Sequence, residues 1–227
     1  MITEPTFCAS VVCMDPLNIE RDTQALYDMG HRYLHMDIMD GHYVPRYGIY
    51  PEISRFLSDR FPDMKQDCHL MVEDAEFAID QFKDIDAITT FTFHIDDNEK
   101  NAARIIDKIR SQGKQAGIAL NLMSPLTTTI NCINYLNLDF VCFMGIHPGV
   151  LKQTSKPEVL YKKIPELLDK IDNKPITIQI DGGVGWDTIP HLIKAGANFF
   201  VGGTSTIYKP DDLVYNNSMK IKELMNV

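Results

Sequence analysis

The chain has 227 residues, 44% of them hydrophobic, and a formal net charge of −9; it can bury one large core or two small ones and is ill suited to a nucleic-acid or anionic-membrane surface. Its five cysteines form no CxxC pair, which fits reduced thiols in a cytoplasmic protein rather than a secreted disulfide framework. The start, MITEPTFCAS, lacks a basic stretch followed by a long apolar run, and no run of about 18 apolar residues follows, so neither a signal peptide nor a membrane span is expected.

In chain order, Thr6–Val12 reads as a strand and Pro16–Met29 as a helix closed by Gly30. Tyr33–Met39 is the second strand. Leu34, Met36 and Ile38 give it one apolar face, and His35, Asp37 and Met39 alternate on the other, before Asp40-Gly41 breaks it. Pro51–Arg60 is helical, Lys65–Met71 a strand, Glu73–Phe82 a helix, Ala87–His94 a strand, and Asn98–Gln112 a helix stopped by Gly113. Gln115–Leu120 is the fifth strand, Pro125 opens a helix to Tyr135, Phe140–Met144 is the sixth strand, and Pro157–Ile171 is helical. Ile176–Asp181, Asp187–Lys194, Phe199–Val201 and Asp211–Met225 complete the series as strand, helix, strand and helix.

Eight strands alternating with eight helices imply a parallel sheet with right-handed crossovers. No linker or repeat divides residues 1–227, so the expected fold is α/β, a single (β/α)8 TIM barrel. A doubly wound open sheet also alternates, but explains less well why polar side chains from three separate strands converge.

That convergence is the main chemical signal. A charged pair on the inner face of a strand is costly to bury unless paired or liganded. A lone His35–Asp37 pair is open to either reading. The pattern recurs, however: His69 and Met71 share a face at the end of the third strand, and the seventh ends in Asp181-Gly182-Gly183. His35, Asp37, His69 and Asp181 together suit one divalent metal ion such as Zn, Fe, Mn or Co. Cys68 neighbours His69, but its parity points it the other way, into the core. Glycine pairs after the last two strands, Gly182-Gly183 and Gly202-Gly203 with Thr204, offer backbone N–H groups to an anion where barrels often hold phosphate.

These residues resemble the ribulose-phosphate 3-epimerase family over nearly the whole chain. The matching positions are Ser10, His35-x-Asp37-x-Met39-Asp40-Gly41-x-x-Val44-Pro45, Asp67-x-His69-Leu70-Met71, Met144-x-x-x-Pro148-Gly149, Asp181-Gly182-Gly183 and Gly203-Thr204. Cys13-Met14-Asp15 is similar to the D-allulose-6-phosphate 3-epimerase branch. The resemblance implies a metal-dependent inversion of C3 in a 2-ketose phosphate through an enediolate. Asp37 and Asp181 would be the two proton-transfer groups as well as metal ligands with His35 and His69. Met39, Met71 and Met144 would cap the substrate, with Ser10, His69, Gly149, Gly182, Gly183, Gly203 and Thr204 as further contacts.

The chain departs from the family pattern around the cleft mouth. Val150-Leu151-Lys152 replaces a run of small residues, Arg46 stands where Asn is usual, Gly145 replaces a common Thr, and Asp96 stands where Glu is usual. The expectation is a preference for a six-carbon ketose phosphate over D-ribulose 5-phosphate. A decarboxylase on a related barrel would need an Asp-x-Lys-x-x-Asp arrangement, which the second strand lacks. A sugar-phosphate-binding barrel without turnover is the other alternative. The sequence leaves the metal's identity, the pathway and assembly into a homo-oligomer open.

Overall fold

The computed structural model describes residues 2–136, 138–150, 153, 155, 157–172, 174–208 and 214–225. Eight parallel strands, β1 (Thr6–Ser10), β2 (Tyr33–Met39), β3 (Lys65–Met71), β4 (Ile88–His94), β5 (Gln115–Leu120), β6 (Phe140–Met144), β7 (Thr177–Asp181) and β8 (Phe199–Gly202), hydrogen-bond in sequence order. The barrel closes where β1 pairs with β8, Thr6 opposite Phe199 and Ala9 opposite Gly202. Closure excludes the open doubly wound sheet.

Around the barrel lie α1 (Ile19–Asp28), α2 (Pro51–Arg60), α3 (Ala75–Phe82), α4 (Ala102–Ser111), α5 (Leu126–Tyr135), α6 (Leu160–Lys170), α7 (Ile189–Ala195) and α8 (Val214–Met225). Their apolar stripes cover the outward strand faces. Leu34, Met36, Ile38, Cys68 and Leu70 of β2 and β3 are buried in that layer with Ile105, Ile106 and Ile109 of α4. Cys68 is therefore a core residue, as its parity implied.

The inward faces form stacked layers. At the N-terminal end, Phe199 meets Tyr33 and Phe140 edge-on at 5.3 and 5.7 Å between ring centroids. Above them the interior turns polar, with His35, Asp67, Thr92 and Gln179 all buried. Higher still, at the C-terminal strand ends, are Ser10, Asp37, His69, His94 and Asp181.

Several boundaries differ from the sequence reading. The first strand stops at Ser10, not Val12, because Val11–Cys13 tightens into a 3-10 turn closed by Met14 N–H on the Val11 carbonyl. α1 starts at Ile19 rather than Pro16, since the Asp15 carboxylate accepts from Leu17 N–H and holds a turn there. α3 starts at Ala75, capped by Asp74, whose carboxylate accepts from Phe77 N–H at 2.9 Å. Residues 98–101 are a turn rather than the first turn of α4, with Asn98 Nδ2 donating to the His94 carbonyl at the end of β4. The helix expected from Pro157 begins as a 3-10 turn over Pro157–Val159. Residues 211–213 of the last predicted helix lie outside the described residues.

Candidate active site

The site sits where β1, β2, β3 and β7 end. Strand alternation sends His35 and Asp37, His69, and Asp181 to one centre, and one ligand-type atom from each lies within 4.8 Å of all the others. His35 Nε2 is 3.4 Å from Asp37 Oδ1 and 3.6 Å from Asp181 Oδ2. His69 Nδ1 is 3.0 Å from Asp181 Oδ2 and 3.9 Å from Asp37 Oδ1. Ser10 Oγ donates to Asp37 Oδ2 at 2.8 Å.

A second set of contacts, on the same inward faces, fixes the two imidazoles. His35 Nδ1 lies 2.8 Å from Asp67 Oδ2, and Gln179 Nε2 donates to that same oxygen. With Nδ1 held on Asp67, His35 turns Nε2 toward the two carboxylates, and this buried nitrogen has no hydrogen-bond partner. His69 Nε2 lies 3.0 Å from His94 Nε2. Burial, then the neighbouring His69, depresses the His94 pKa to about 3, so His94 is neutral and its Nε2 pairs with that of His69. That leaves His69 Nδ1 facing Asp181 and Asp37. Each imidazole thus has one nitrogen held from behind and the other aimed at the cluster, the arrangement that orients a metal-binding histidine.

The charges are strongly coupled. Burial pushes His35 down, but Asp37, Asp181 and Asp67 outweigh it and hold its pKa well above the ordinary range. Burial pushes Asp181 up, yet hydrogen bonds and charge from His35 and His69 hold its carboxyl well below its ordinary value. Cys8, His35 and Asp67 also form a cluster of ligand-type atoms. Burial pushes the Cys8 thiol up to about 12 and His35 Nδ1 is already engaged, so the upper cluster is the better cation site.

Above it opens a cleft of about 330 Å³, bordered by Ser10, Met39, Met71, Met144, Gly149, Gly182, Gly183, Gly203 and Thr204, with Asp37 and Asp181 at its base. Every residue expected at the site is therefore at or beside it, His35 and His69 as buried members of the cluster. Met39 and Met71 pack with Val44 into a small apolar group of their own. Gly182 and Gly183 adopt φ of +81° and +71°, a conformation that glycine adopts without strain. A Cβ on Gly149 would lie 2.5 Å from that of Val44, so the loops after β2 and β6 abut across this glycine. Leu151 and Lys152 lie outside the described residues. The sequence reading left Asp67, Gln179 and His94 without roles. Parity places each two residues before, or on the same inner row as, a cluster member, and was the available signal.

A closed eight-stranded barrel with carboxylates and imidazoles gathered at its C-terminal strand ends, beside glycine turns, defines a (β/α)8-barrel enzyme. Solved structures agree on the fold: 3-hexulose-6-phosphate synthase from Salmonella typhimurium superposes with a TM-score of 0.74 at 11% identity, over 97% of this chain and 98% of that one. The chain belongs to the ribulose-phosphate 3-epimerase family, whose model matches residues 6–208, and it is an epimerase. It is 32% identical to ribulose-phosphate 3-epimerase from Eremothecium gossypii over 92% of this chain and 89% of that protein. It is 30% identical to ribulose-phosphate 3-epimerase from Escherichia coli over 89% of this chain and 88% of that protein. No helix among the described residues is long and apolar enough to cross a membrane.

Proposed function

We propose that this enzyme inverts C3 of a 2-ketose phosphate by a two-base proton transfer. The observation that carries the reading is the orphaned His35 Nε2, aimed between Asp37 and Asp181 with His69 Nδ1 beside them. His35, Asp37, His69 and Asp181 would hold one divalent cation, Zn, Fe, Mn or Co, which when bound supplies Lewis-acid stabilisation of negative charge on the C2 and C3 oxygens.

The chain's own residues do the rest. A C3 proton beside a ketone is weakly acidic, so its removal needs a carboxylate base within reach. Asp37 and Asp181 come from β2 and β7 and enter the centre from different sides of the barrel. One takes the proton from C3, and the other, protonated, returns one to the opposite face, which inverts the centre and leaves the carbonyl at C2. The Ser10 hydroxyl orients Asp37 and lines the cleft, where it is placed to meet a substrate hydroxyl. Met39, Met71 and Met144 exclude water from the enediolate, which strengthens every charge interaction around it. The phosphate would lie against the N–H groups of Gly182, Gly183, Gly203 and Thr204.

A ribulose phosphate stands in the relatives' names, and Cys13-Met14-Asp15 favours D-allulose 6-phosphate, so D-ribulose 5-phosphate and D-allulose 6-phosphate are the two substrates to compare. We place the enzyme in the cytoplasm: its five cysteines are free, and a relative from Oryza sativa is named as the cytoplasmic isoform. The test is incorporation of solvent deuterium at C3, followed together with epimer formation, on both sugars. Exchange with inversion on either supports the reading; neither exchange nor inversion on any ketose phosphate defeats it and leaves a binding barrel.

A further inference from the structure

We infer that Arg46 is a specificity-determining residue that grips the substrate's phosphate. This rests on the reading that the substrate is a ketose phosphate, and concerns its charged end rather than the reacting carbon.

The first support is the charge around the cleft. Among the described residues lining it, Arg46 is the one Lys or Arg, against the two carboxylates Asp37 and Asp181 at its base. A divalent cation on the cluster would offset those two carboxylates and nothing more. The phosphate of an incoming sugar would then meet uncharged N–H groups and this single guanidinium.

The second support is that Arg46 is placed and left free. Its N–H donates to the Val44 carbonyl at 2.7 Å, and its carbonyl accepts from Gly41 N–H at 3.0 Å, so the main chain is tied on both sides. Its guanidinium makes no hydrogen bond or ion pair with the described residues. Asp40, the nearest acid in the same turn, is engaged elsewhere. One of its oxygens accepts from the N–H groups of His42 and Tyr43, and the other from that of Glu73. The loop carrying Arg46 also abuts the one after β6 through Val44 and Gly149, so the cation stands where two loops border the cleft. A planar guanidinium presents parallel N–H donors that match two phosphate oxygens, which a lysine ammonium cannot do.

The test compares native enzyme, Arg46→Gln and Arg46→Lys. Inorganic phosphate binding is measured by calorimetry, and kcat and KM are measured on D-ribulose 5-phosphate, D-allulose 6-phosphate and unphosphorylated D-allulose. Arg46→Gln is expected to weaken phosphate binding about 10-fold or more and to raise KM for the phosphorylated sugars by a similar factor, with a much smaller effect on kcat. The ratio of kcat/KM for phosphorylated over unphosphorylated allulose should fall by about the same factor, with partial recovery in Arg46→Lys. Phosphate affinity and KM within about twofold of native in Arg46→Gln would overturn the assignment. So would an equal loss on the unphosphorylated sugar, or native enzyme that binds no phosphate. Failure of the proposed reaction reads differently: the native enzyme would then turn over no ketose phosphate, and the calorimetric comparison would still decide the role of Arg46.

Discussion

His31, just before β2, and His35, inside it, stand four positions apart, both buried, and respond in opposite ways. His31 lies just before β2, its Nε2 against the Ser218 hydroxyl and its ring 5.4 Å from that of Phe7. Burial, reinforced by Lys222 and Arg32, depresses its pKa to about 4. His35 is fully buried, yet three carboxylates hold its pKa well above the ordinary range. Burial is common to both. The charges that face each ring decide the sign, and those charges separate a barrel end built for packing from one built for chemistry.

The sharpest way to break the comparison is to empty the charged end. Stripping divalent metal with a chelator, or replacing His35 or His69 by Ala, is expected to abolish turnover, with metal content falling from about one ion per chain. Full activity in a verified metal-free sample would end the proposal. Metal uptake should also release protons, because the surrounding carboxylates favour the protonated form of His35 and binding must free Nε2. Apparent metal affinity should therefore rise with pH, as calorimetry in buffers of different ionisation enthalpy would show.

Next in size are the bases. Asp37→Asn and Asp181→Asn should each lower epimerisation by roughly 10²- to 10⁴-fold, the range a general base contributes. One of them retains exchange of a substrate proton with solvent, since one face keeps its carboxylate. Near-native epimerisation in either variant would rule out the two-base assignment. A smaller effect is expected one layer below. Asp67→Asn removes the charge behind His35 and should weaken metal binding by about 10- to 100-fold while the barrel still folds. Unchanged metal affinity by titration would show that Asp67 merely fills the interior.

The smallest effect belongs to the other end of β2. The unfolded chain protonates His31 near 6.5 and the folded chain near 4, so the unfolded state binds the proton first as pH falls. The stabilisation is complete above 6.5 and is lost on the way down to 4, on the order of 3 kcal/mol in all. His31→Gln should flatten this part of the pH–stability curve, measured by denaturant titration, and leave catalysis alone. A curve as steep as native would assign the acid sensitivity to other groups.

Much of this was legible in the sequence because alternation is a local signal. The expected bounds of β2, β3, β5 and β6 match the structure, and alternation along β2 and β3 picks out the inward His35, Asp37 and His69 that join Asp181. Which inward atoms meet is not local. Asp67 reaches His35 across 32 positions, Gln179 reaches Asp67 across 112, and His69 reaches His94 across 25, and period-two patterning carries no such information. Helix starts failed where side chains such as Asp15 and Asn98 competed for the backbone and held turns. Arg46 was visible as a departure from the family pattern, but its freedom from Asp40 depends on three main-chain contacts that only the fold reveals.

The four proposed cation ligands come from β2, β3 and β7, and Asp181 follows His69 by 112 positions. During synthesis, the first three members are made long before the fourth. A nascent chain short of β7 therefore offers an incomplete cation site, and only a nearly finished barrel binds tightly. Any ion bound there stabilises the whole closed barrel over every partial one, by an amount that grows with the logarithm of its free concentration. The proposed cation site would thus double as a clasp that reports, and rewards, completion of the chain.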